Sequence, residues 1–210
     1  MKKPLNSLTT NRQQGQFVIN VAEVLVSAGL VIAGAFQAQM FWQDYQHDSY
    51  YKELKRVETS LWDYKAMTGH WPADCNGDGT IDIGRTNNGG ADEPLSSCAF
   101  ELGSQDAIMQ VINDFAEVNL LDDSIKQAFA NEGKPRMQLA HAKLKEQEHN
   151  VLVAFDVSPS LAKWLDIKID GNIQANNGRI RLWDKARETV WPQSSEMKTI
   201  TIAYYFDSKI

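Results

Sequence analysis

The sequence contains little cysteine and proline and has no strongly basic tract. Only two of its 210 residues are cysteine and six are proline. The net charge of −6 is spread along the chain, with no lysine and arginine cluster after the first residues, so there is no electrostatic footprint for nucleic acid. A hydrophobic content of 43% and six tryptophans indicate a packed globular protein, not a disordered tail. The chain is long enough for one domain with a core plus an N-terminal segment.

The sequence also lacks the motifs of the common enzyme classes. There is no G-x-S-x-G, no H-E-x-x-H, no phosphate-binding loop and no G-x-G-x-x-G. The two cysteines do not have the C-x-x-C spacing of a redox pair. His141 and His149 lie about two helical turns apart, in a charged segment that is more typical of a solvated helix face than of a metal site. The sequence therefore does not predict an enzyme. A membrane-tethered enzyme without a recognisable motif is the weakest interpretation.

A long apolar run lies near the start of the chain. It reads "QQGQFVINVAEVLVSAGLVIAGAF" from Gln13 to Phe36, and its part Phe17–Phe36 is about as long as a helix needs to be to cross a bilayer. Basic residues precede the run and Asp44 and Asp48 follow it. This asymmetry predicts that the N-terminus is cytoplasmic and that everything after the span lies outside the cytoplasm.

A cleaved secretory signal is the alternative interpretation of this run. "AGA" at residues 33–35 offers an A-x-A cleavage site. However, no proline or glycine occurs between Gln37 and Thr68. Apolar side chains recur there mostly three or four residues apart, as on one face of a helix: Phe41, Tyr50, Tyr51, Leu54, Val57, Leu61, Tyr64 and Met67. One helix from about Phe17 to Met67 is therefore predicted, which favours a permanent span.

One acidic residue, Glu23, interrupts the apolar run. A carboxylate near the middle of a bilayer costs about 3 kcal/mol on insertion scales, so it usually faces a partner and marks function. The alternative is that Glu23 lies within reach of the membrane interface and is tolerated there.

The N-terminal segment resembles that of the type IV pilin and type II secretion pseudopilin family. A short basic leader that ends in Gly15, the "EVLV" around Glu23 and the continuous amphipathic helix carry this resemblance. It implies that a prepilin peptidase cuts after Gly15 and leaves Gln16 as the new, methylated N-terminus. The apolar run would then serve first as a signal and afterwards as a span. Two later segments are also similar to the family: "WPADCNGDG" from Trp71 and "LDIKIDGNIQANNGRIR" from Leu165.

The segment departs from the family pattern at two positions. Family members usually have a hydrophobic residue directly after the cut and a glutamate four residues further on, where this chain has Gln16 and Asn20. Glu23 follows Asn20 by nearly one helical turn and lies about 4.5 Å deeper along the helix axis. In the family, that glutamate pairs with the N-terminal amine of a neighbouring subunit. Subunits without it occur at filament tips, which indicates a minor or tip subunit.

The resemblance implies a structural subunit of a type IV pilus or a type II secretion filament. Its partners would be other pilin or pseudopilin subunits, the prepilin peptidase, an inner-membrane assembly platform and membrane lipid. The implied organisation is a leader at 1–15, a long helix at 16–68 that spans the bacterial inner membrane at about 17–36, and a periplasmic pilin-like domain at 69–210. The alternative is a secreted or single-span periplasmic calcium-binding protein that forms no filament.

The segment "DCNGDGTID", Asp74 to Asp82, matches most of a calcium-binding loop, with Gly79 at the sharp turn. Its expected ligands are the side chains or carbonyls of Asp74, Asn76, Asp78, Thr80 and Asp82. Arg85 stands where the chelating glutamate belongs, and Asp92 or Glu93 would replace that ligand. The alternative is an acidic turn without a metal, because Asn-Gly and Asp-Gly form turns unaided. The spacing favours calcium slightly.

The two cysteines, Cys75 and Cys98, flank this loop and its continuation. Outside the cytoplasm they are expected to form a disulfide. Closing a loop of that size stabilises the fold by about 3 kcal/mol in the chain-entropy model.

The remaining sequence predicts an α+β fold. Ser104 to Val118 is expected to be an amphipathic helix capped by Ser104, and a second short helix is expected to be capped by Ser158. Strands are predicted at "VLVAFDV" from Val151, "RIRLW" from Arg179 and "TITIAYYF" from Thr199. Asp166 and Asp170 are interpreted as part of a polar turn in preference to a second cation site. The predicted architecture is a long N-terminal helix, half transmembrane and half amphipathic, packed on a small antiparallel sheet as in pilins.

Overall fold

The computed structural model describes residues 8–84, 100–129, 137–144, 147–183 and 190–207, with only the backbone for 8–25, 27 and 28. It contains four α-helices and four β-strands within these ranges. The helices are α1 (Leu8–Thr68), α2 (Gln105–Glu117), α3 (Asp123–Phe129) and α4 (Pro159–Asp170). The strands are β1 (Met137–Leu144), β2 (Gln147–Val157), β3 (Ile180–Leu182) and β4 (Ile200–Tyr205).

The chain forms two compact units, a first unit that ends at Asp48 and a second unit that begins at Ser49. Helix α1 belongs to both, and the prediction of one long N-terminal helix is confirmed. In the first unit, the large apolar side chains from Val26 to Tyr45 are between 57% and 75% exposed. This part of α1 therefore has no apolar cover from its own chain among the described residues.

The prediction of a membrane span rests on Phe17–Phe36. Among the residues whose side chains the structure describes, no helix is both long enough and apolar enough to cross a membrane. Much of Phe17–Phe36 lies outside those residues, so the span stays a prediction.

The strands form one antiparallel sheet with the order β1-β2-β4-β3. In β1 and β2, Leu139 lies opposite Leu152. In β2 and β4, Leu152 lies opposite Tyr204, and β3 adds Ile180 on the other side of Tyr204. The antiparallel sheet and the three predicted strands are thus confirmed, and the sheet has a fourth strand, β1, that was not predicted.

The core of the second unit lies between one sheet face and the C-terminal part of α1. Most of the predicted apolar stripe of α1 is buried there, through Tyr50, Leu54, Val57, Leu61 and Tyr64. Two of its predicted members, Phe41 and Met67, are instead 75% and 61% exposed. Burying a leucine or valine side chain stabilises the fold by about 1.5–3 kcal/mol. A smaller apolar cluster, which includes Val151, Val153 and Tyr205, covers the opposite sheet face.

Both predicted helix caps are present. The Ser104 and Ser158 side chains accept hydrogen bonds from the backbone N–H groups of Ala107 and Leu161. Pro159 occupies the first turn of α4, where its missing N–H costs nothing.

The interpretation of His141 to His149 as a helix face is wrong. His141 lies on β1 opposite Asn150, while His149 lies on β2 opposite Ala142. Neighbouring residues of a strand point to opposite faces, so the two imidazoles lie on different faces of the sheet and cannot share a metal there. Met137 to Ala142 are all buried, so β1 lacks the alternation that identifies a half-exposed strand.

Candidate functional site

The loop that follows α1 carries the predicted calcium ligands. Helix α1 ends where Gly69 adopts a positive φ of 85° and donates its N–H to the Lys65 carbonyl at 2.8 Å. A glycine suits this left-handed position because it has no side chain. Trp71 then packs edge-on against Trp62 and Phe206, with ring centroids 4.8 and 5.2 Å apart. The loop therefore starts from a buried aromatic anchor.

Asp74 organises the first half of the loop. Its side chain is buried, and its two carboxylate oxygens accept the N–H groups of Gly77 at 2.8 Å and Gly79 at 3.0 Å. Both glycines have positive φ values, 72° and 92°. The turn thus needs glycine at both positions. The carboxylate of Asp74 accepts hydrogen bonds from two N–H groups that would otherwise lack an acceptor.

Asn76 and Asp78 each accept the backbone N–H of the residue two positions further along the loop. Asn76 Oδ1 accepts the Asp78 N–H at 2.9 Å, and Asp78 Oδ1 accepts the Thr80 N–H at 2.7 Å. Desolvation alone would raise the pKa of Asp78, but the hydrogen bonds from Asn76 and Thr80 hold that pKa below its usual value. Asp78 is therefore ionised at neutral pH.

Asp82 and Asn150 fix the second half of the loop. The Asp82 carboxylate accepts the Cys75 N–H at 3.0 Å, and the Asp82 N–H donates to the Ala73 carbonyl at 2.9 Å. Asn150, on β2, accepts the Ile81 N–H at 2.8 Å and donates to the Gly79 carbonyl at 2.9 Å. Asn150 was not predicted as a site residue; its only sequence signal is its position directly before the apolar run at residues 151–155 of β2.

The predicted ligand atoms of this loop are of the type that calcium prefers. The predicted ligands Asp74, Asn76, Asp78, Thr80 and Asp82 lie within one closed turn, and all would offer oxygen, which hard cations prefer. Each carboxylate oxygen that accepts one N–H still has a second lone pair for a cation. No group of three or more acidic, histidine or cysteine side chains with metal-holding geometry occurs in the described part of the chain. Arg85, Asp92 and Glu93 lie outside the described residues.

The other predicted site residues lie partly outside the described structure. Cys75 is disulfide-bonded, and the chain has one other cysteine, Cys98, which lies outside the described residues. Gly15, Gln16, Asn20 and Glu23 fall in α1, in the part for which only the backbone is described. Their predicted roles in processing and assembly stay predictions.

A buried ionic network joins α1 to β3 and β4. Glu58 Oε1 lies 2.7 Å from Arg179 Nη2, and Glu58 Oε2 accepts the Tyr204 hydroxyl at 2.6 Å and also contacts Lys55 Nζ. Burial raises the pKa of Glu58, but the hydrogen bonds from Lys55, Tyr204 and Arg179 outweigh it, so the pKa lies below its usual value. Sequence patterns did not indicate this network, because its partners lie more than 100 residues apart.

Asp166 and Asp170 tie α4 to the segment before β3. Asp166 is fully buried, and its Oδ2 accepts the Trp191 indole N–H at 2.7 Å and the Gln174 N–H at 2.8 Å. Its Oδ1 is buried without an N–H donor and faces the Asp170 carboxyl. Asp170 accepts the backbone N–H groups of Arg179 and Ile180 at 2.8 and 2.9 Å. Both acids lie in α4 and not in a turn as interpreted from the sequence, and their carboxylates accept N–H groups of the segment that follows the helix.

The segment that follows α4 requires glycine at position 178, because the Asp170 carboxylate lies where the side chain of any other residue would begin. A Cβ at Gly178 would lie 2.4 Å from Asp170 Oδ2, and the φ of 82° already disfavours other residues.

Comparisons of the whole chain with protein-family models, with curated proteins and with solved structures found no match.

Proposed function

We propose that the chain is a minor pilin or pseudopilin, a structural subunit of a type IV pilus or a type II secretion filament. The observation that carries this proposal is the exposed apolar surface of α1 from Val26 to Tyr45. Large contiguous apolar surfaces of this kind mark sites that another protein or a membrane covers. A subunit that leaves lipid to enter a helical filament needs such a surface in both settings.

Small residues on this part of α1 support packing between subunits. A Cβ added to Gly29 or Gly34 would meet no atom within 4 Å, so the helix surface is open at both positions. In lipid there is no hydrophobic force between helices, so association depends on close packing over small side chains. Gly29 and Ala33 are four residues apart, as are Gly34 and Ala38. The two members of each pair therefore lie on the same side of the helix.

The proposal assigns the N-terminal residues their roles by resemblance to the family. A prepilin peptidase cuts after Gly15, Phe17–Phe36 holds the subunit in the inner membrane, and Glu23 or Asn20 lies toward the N-terminal amine of a neighbour. The assembly platform then transfers the subunit into the filament. We propose no catalytic role.

N-terminal sequencing of the protein purified from a cell that has a prepilin peptidase tests this proposal. The expected new N-terminus is Gln16. The variant Gly15→Trp should accumulate uncut and stay out of the sheared filament fraction, while the control Gly34→Ala should still be cut after residue 15. An N-terminus at Phe36 would indicate a secreted protein and one at Met1 a plain tethered protein, and either result contradicts the proposal.

A second candidate function is a secreted or single-span periplasmic calcium-binding protein that forms no filament. The geometry of residues 74–82 favours it, because three side chains at alternate positions already fold back into one turn. A site filled at 100 times its dissociation constant stabilises a fold by about 2.7 kcal/mol, so calcium should raise the melting temperature of the oxidised chain by several degrees over EDTA.

Asp78→Asn separates calcium binding from the shape of the loop. Its amide oxygen can still accept the Thr80 N–H, while the hydrogen bond from Asn76 Nδ2 and one negative charge are lost. The calcium-dependent rise should therefore shrink markedly. The matched change Asp156→Asn, at an exposed position outside the loop, should leave that rise intact. An equal melting temperature in calcium and EDTA would exclude the calcium site.

A further inference from the structure

A cavity of about 590 Å³ opens beside the loop, between the end of α1 and the C-terminal half of α2. Its volume is within the range of small-ligand sites. Tyr64 and Trp71 contribute aromatic walls, and Asp74, Asp114 and Glu117 contribute carboxylates from two different elements, the loop and α2. The cavity lies wholly within the second unit.

The side chains that line this cavity are more acidic than basic. The Lys65 ammonium lies 4.1 Å from the Trp71 ring centroid but does not line the cavity. None of its described lining residues is lysine or arginine, and His70 is the one basic side chain among them. Asp114 is held rigidly, because it accepts the Ala73 N–H at 2.6 Å and the Gln110 side-chain amide at 2.8 Å. Each of its oxygens keeps one lone pair for a further donor.

The carboxylates of the cavity also act on its aromatic side chain Tyr64. Burial first, and then the charges of Asp114, Glu117 and Asp74, raise the pKa of Tyr64 to about 12. Burial and the neighbouring Glu117 likewise raise the pKa of Asp114. Carboxylates that disfavour each other's charge favour a cation placed between them.

We propose that this cavity binds the side chain of an arginine from another polypeptide. A guanidinium offers five N–H donors in one plane and can reach carboxylates on two walls. A lysine ammonium is a compact charge that would contact fewer of these groups. The assignment of the donor to a neighbouring subunit rests on the proposed filament function. The chemistry of the cavity does not depend on it.

Calorimetric titration of the full chain in detergent with a blocked Gly-Arg-Gly peptide tests the proposal. The control peptide carries citrulline, which has nearly the same shape but no charge. We expect the arginine peptide to bind at least about ten times more tightly than the citrulline peptide and to weaken as salt is raised. Equal binding of the two peptides, or no binding of either, overturns the proposal.

A pair of variants locates the binding at the cavity. Glu117 is exposed, so Glu117→Gln should fold normally and weaken the arginine peptide about fivefold. Glu101→Gln makes the same charge change at an exposed position that does not line the cavity and should leave binding unchanged. Equal losses in the two variants would mean a general surface charge effect and overturn the proposal.

Two further outcomes separate the source of the arginine and the underlying function. If free agmatine binds as tightly as the peptide, the ligand is a small molecule and the polypeptide part of the proposal is wrong. If the peptide binds but the chain is not cut after Gly15 in cells, the filament function fails and the arginine site stands. If the chain is cut and assembles but binds no peptide, the arginine site fails alone.

Discussion

The two parts of α1 are both rich in apolar side chains, but they are covered differently. From Val26 to Tyr45 these side chains are mostly exposed, whereas Tyr50, Leu54, Val57, Leu61 and Tyr64 are at most 5% exposed. The first part is apolar on all sides as far as Phe36, and the second has an apolar stripe with a three- or four-residue spacing. The arrangement of apolar residues, more than their number, therefore decides whether the chain can cover them itself.

The largest effect on stability is expected at Glu58, whose ion pairs connect the second part of α1 to the sheet. Glu58→Ala would leave Arg179, Lys55 and the buried Tyr204 hydroxyl without the carboxylate that they share. Breaking a buried pair costs about 3–5 kcal/mol, and because both cations are partly exposed the loss should lie at the lower end of that range. Chemical denaturation of the full chain should show this loss. A loss below about 1 kcal/mol would mean that water already compensates these charges, and the contrast between the two parts of α1 would then rest on packing alone.

A smaller effect is expected from a cavity in the buried stripe. Leu54 is 2% exposed, so Leu54→Ala should lower the free energy of unfolding by about 2–5 kcal/mol, centred near 3. The measurement is again the denaturation midpoint at an unchanged denaturant dependence. A midpoint within error of the wild type would contradict the packing of α1 on the sheet.

A third prediction concerns pH and lies in the second unit, away from α1. Burial, only partly offset by the hydrogen bonds from Trp191 and Gln174, raises the pKa of Asp166 to about 6. Because the folded pKa lies above the unfolded value near 4, the folded state holds this proton more tightly. Its stabilisation is complete below about pH 4 and is lost as the pH rises through about 6.

Asp166→Asn should remove this dependence, since an amide keeps an acceptor for Trp191 and does not ionise. The variant should match the wild type near pH 4 and exceed its stability at pH 8 by about 3 kcal/mol. Unfolding curves at several pH values provide the test, with Asp156→Asn as the control. Parallel pH profiles for Asp166→Asn and the wild type would show that folding does not raise the pKa of Asp166.

The smallest effect is expected in the first part of α1. Leu30 is 70% exposed, so Leu30→Ala should change the stability of the second unit by less than about 0.5 kcal/mol. The same variant should partition less into vesicles, because each buried methylene contributes about 0.8 kcal/mol to transfer from water. A large loss of stability would show that the chain does cover this surface after all.

Local patterns in the sequence were sufficient for about half of the fold. The long helix, the caps at Ser104 and Ser158 and the stripe on α1 were predictable because each depends on residues a few positions apart. Strand β1 was not, since burial on both faces removes its alternation. Helix α3 is only seven residues long and shows too little periodicity to be recognised.

The candidate sites divide in the same way. The turn from Asp74 to Asp82 was predictable because the residues that form its hydrogen bonds lie close together in the chain. The contact of Asn150 with Ile81, the Glu58 network and the acidic cavity were not, because the chain must fold before these residues meet. A single sequence carries no signal for such long-range pairs.

The hydrogen bond between Asn150 and Ile81 couples the loop to β2. Because the acceptor of the Ile81 amide is set on a central strand, that amide can exchange with deuterium only when the loop parts from the sheet. Its protection factor should therefore follow that of the β2 amides, although Ile81 belongs to no regular element. A surface turn would then serve as a spectroscopic reporter of how often the loop parts from the sheet.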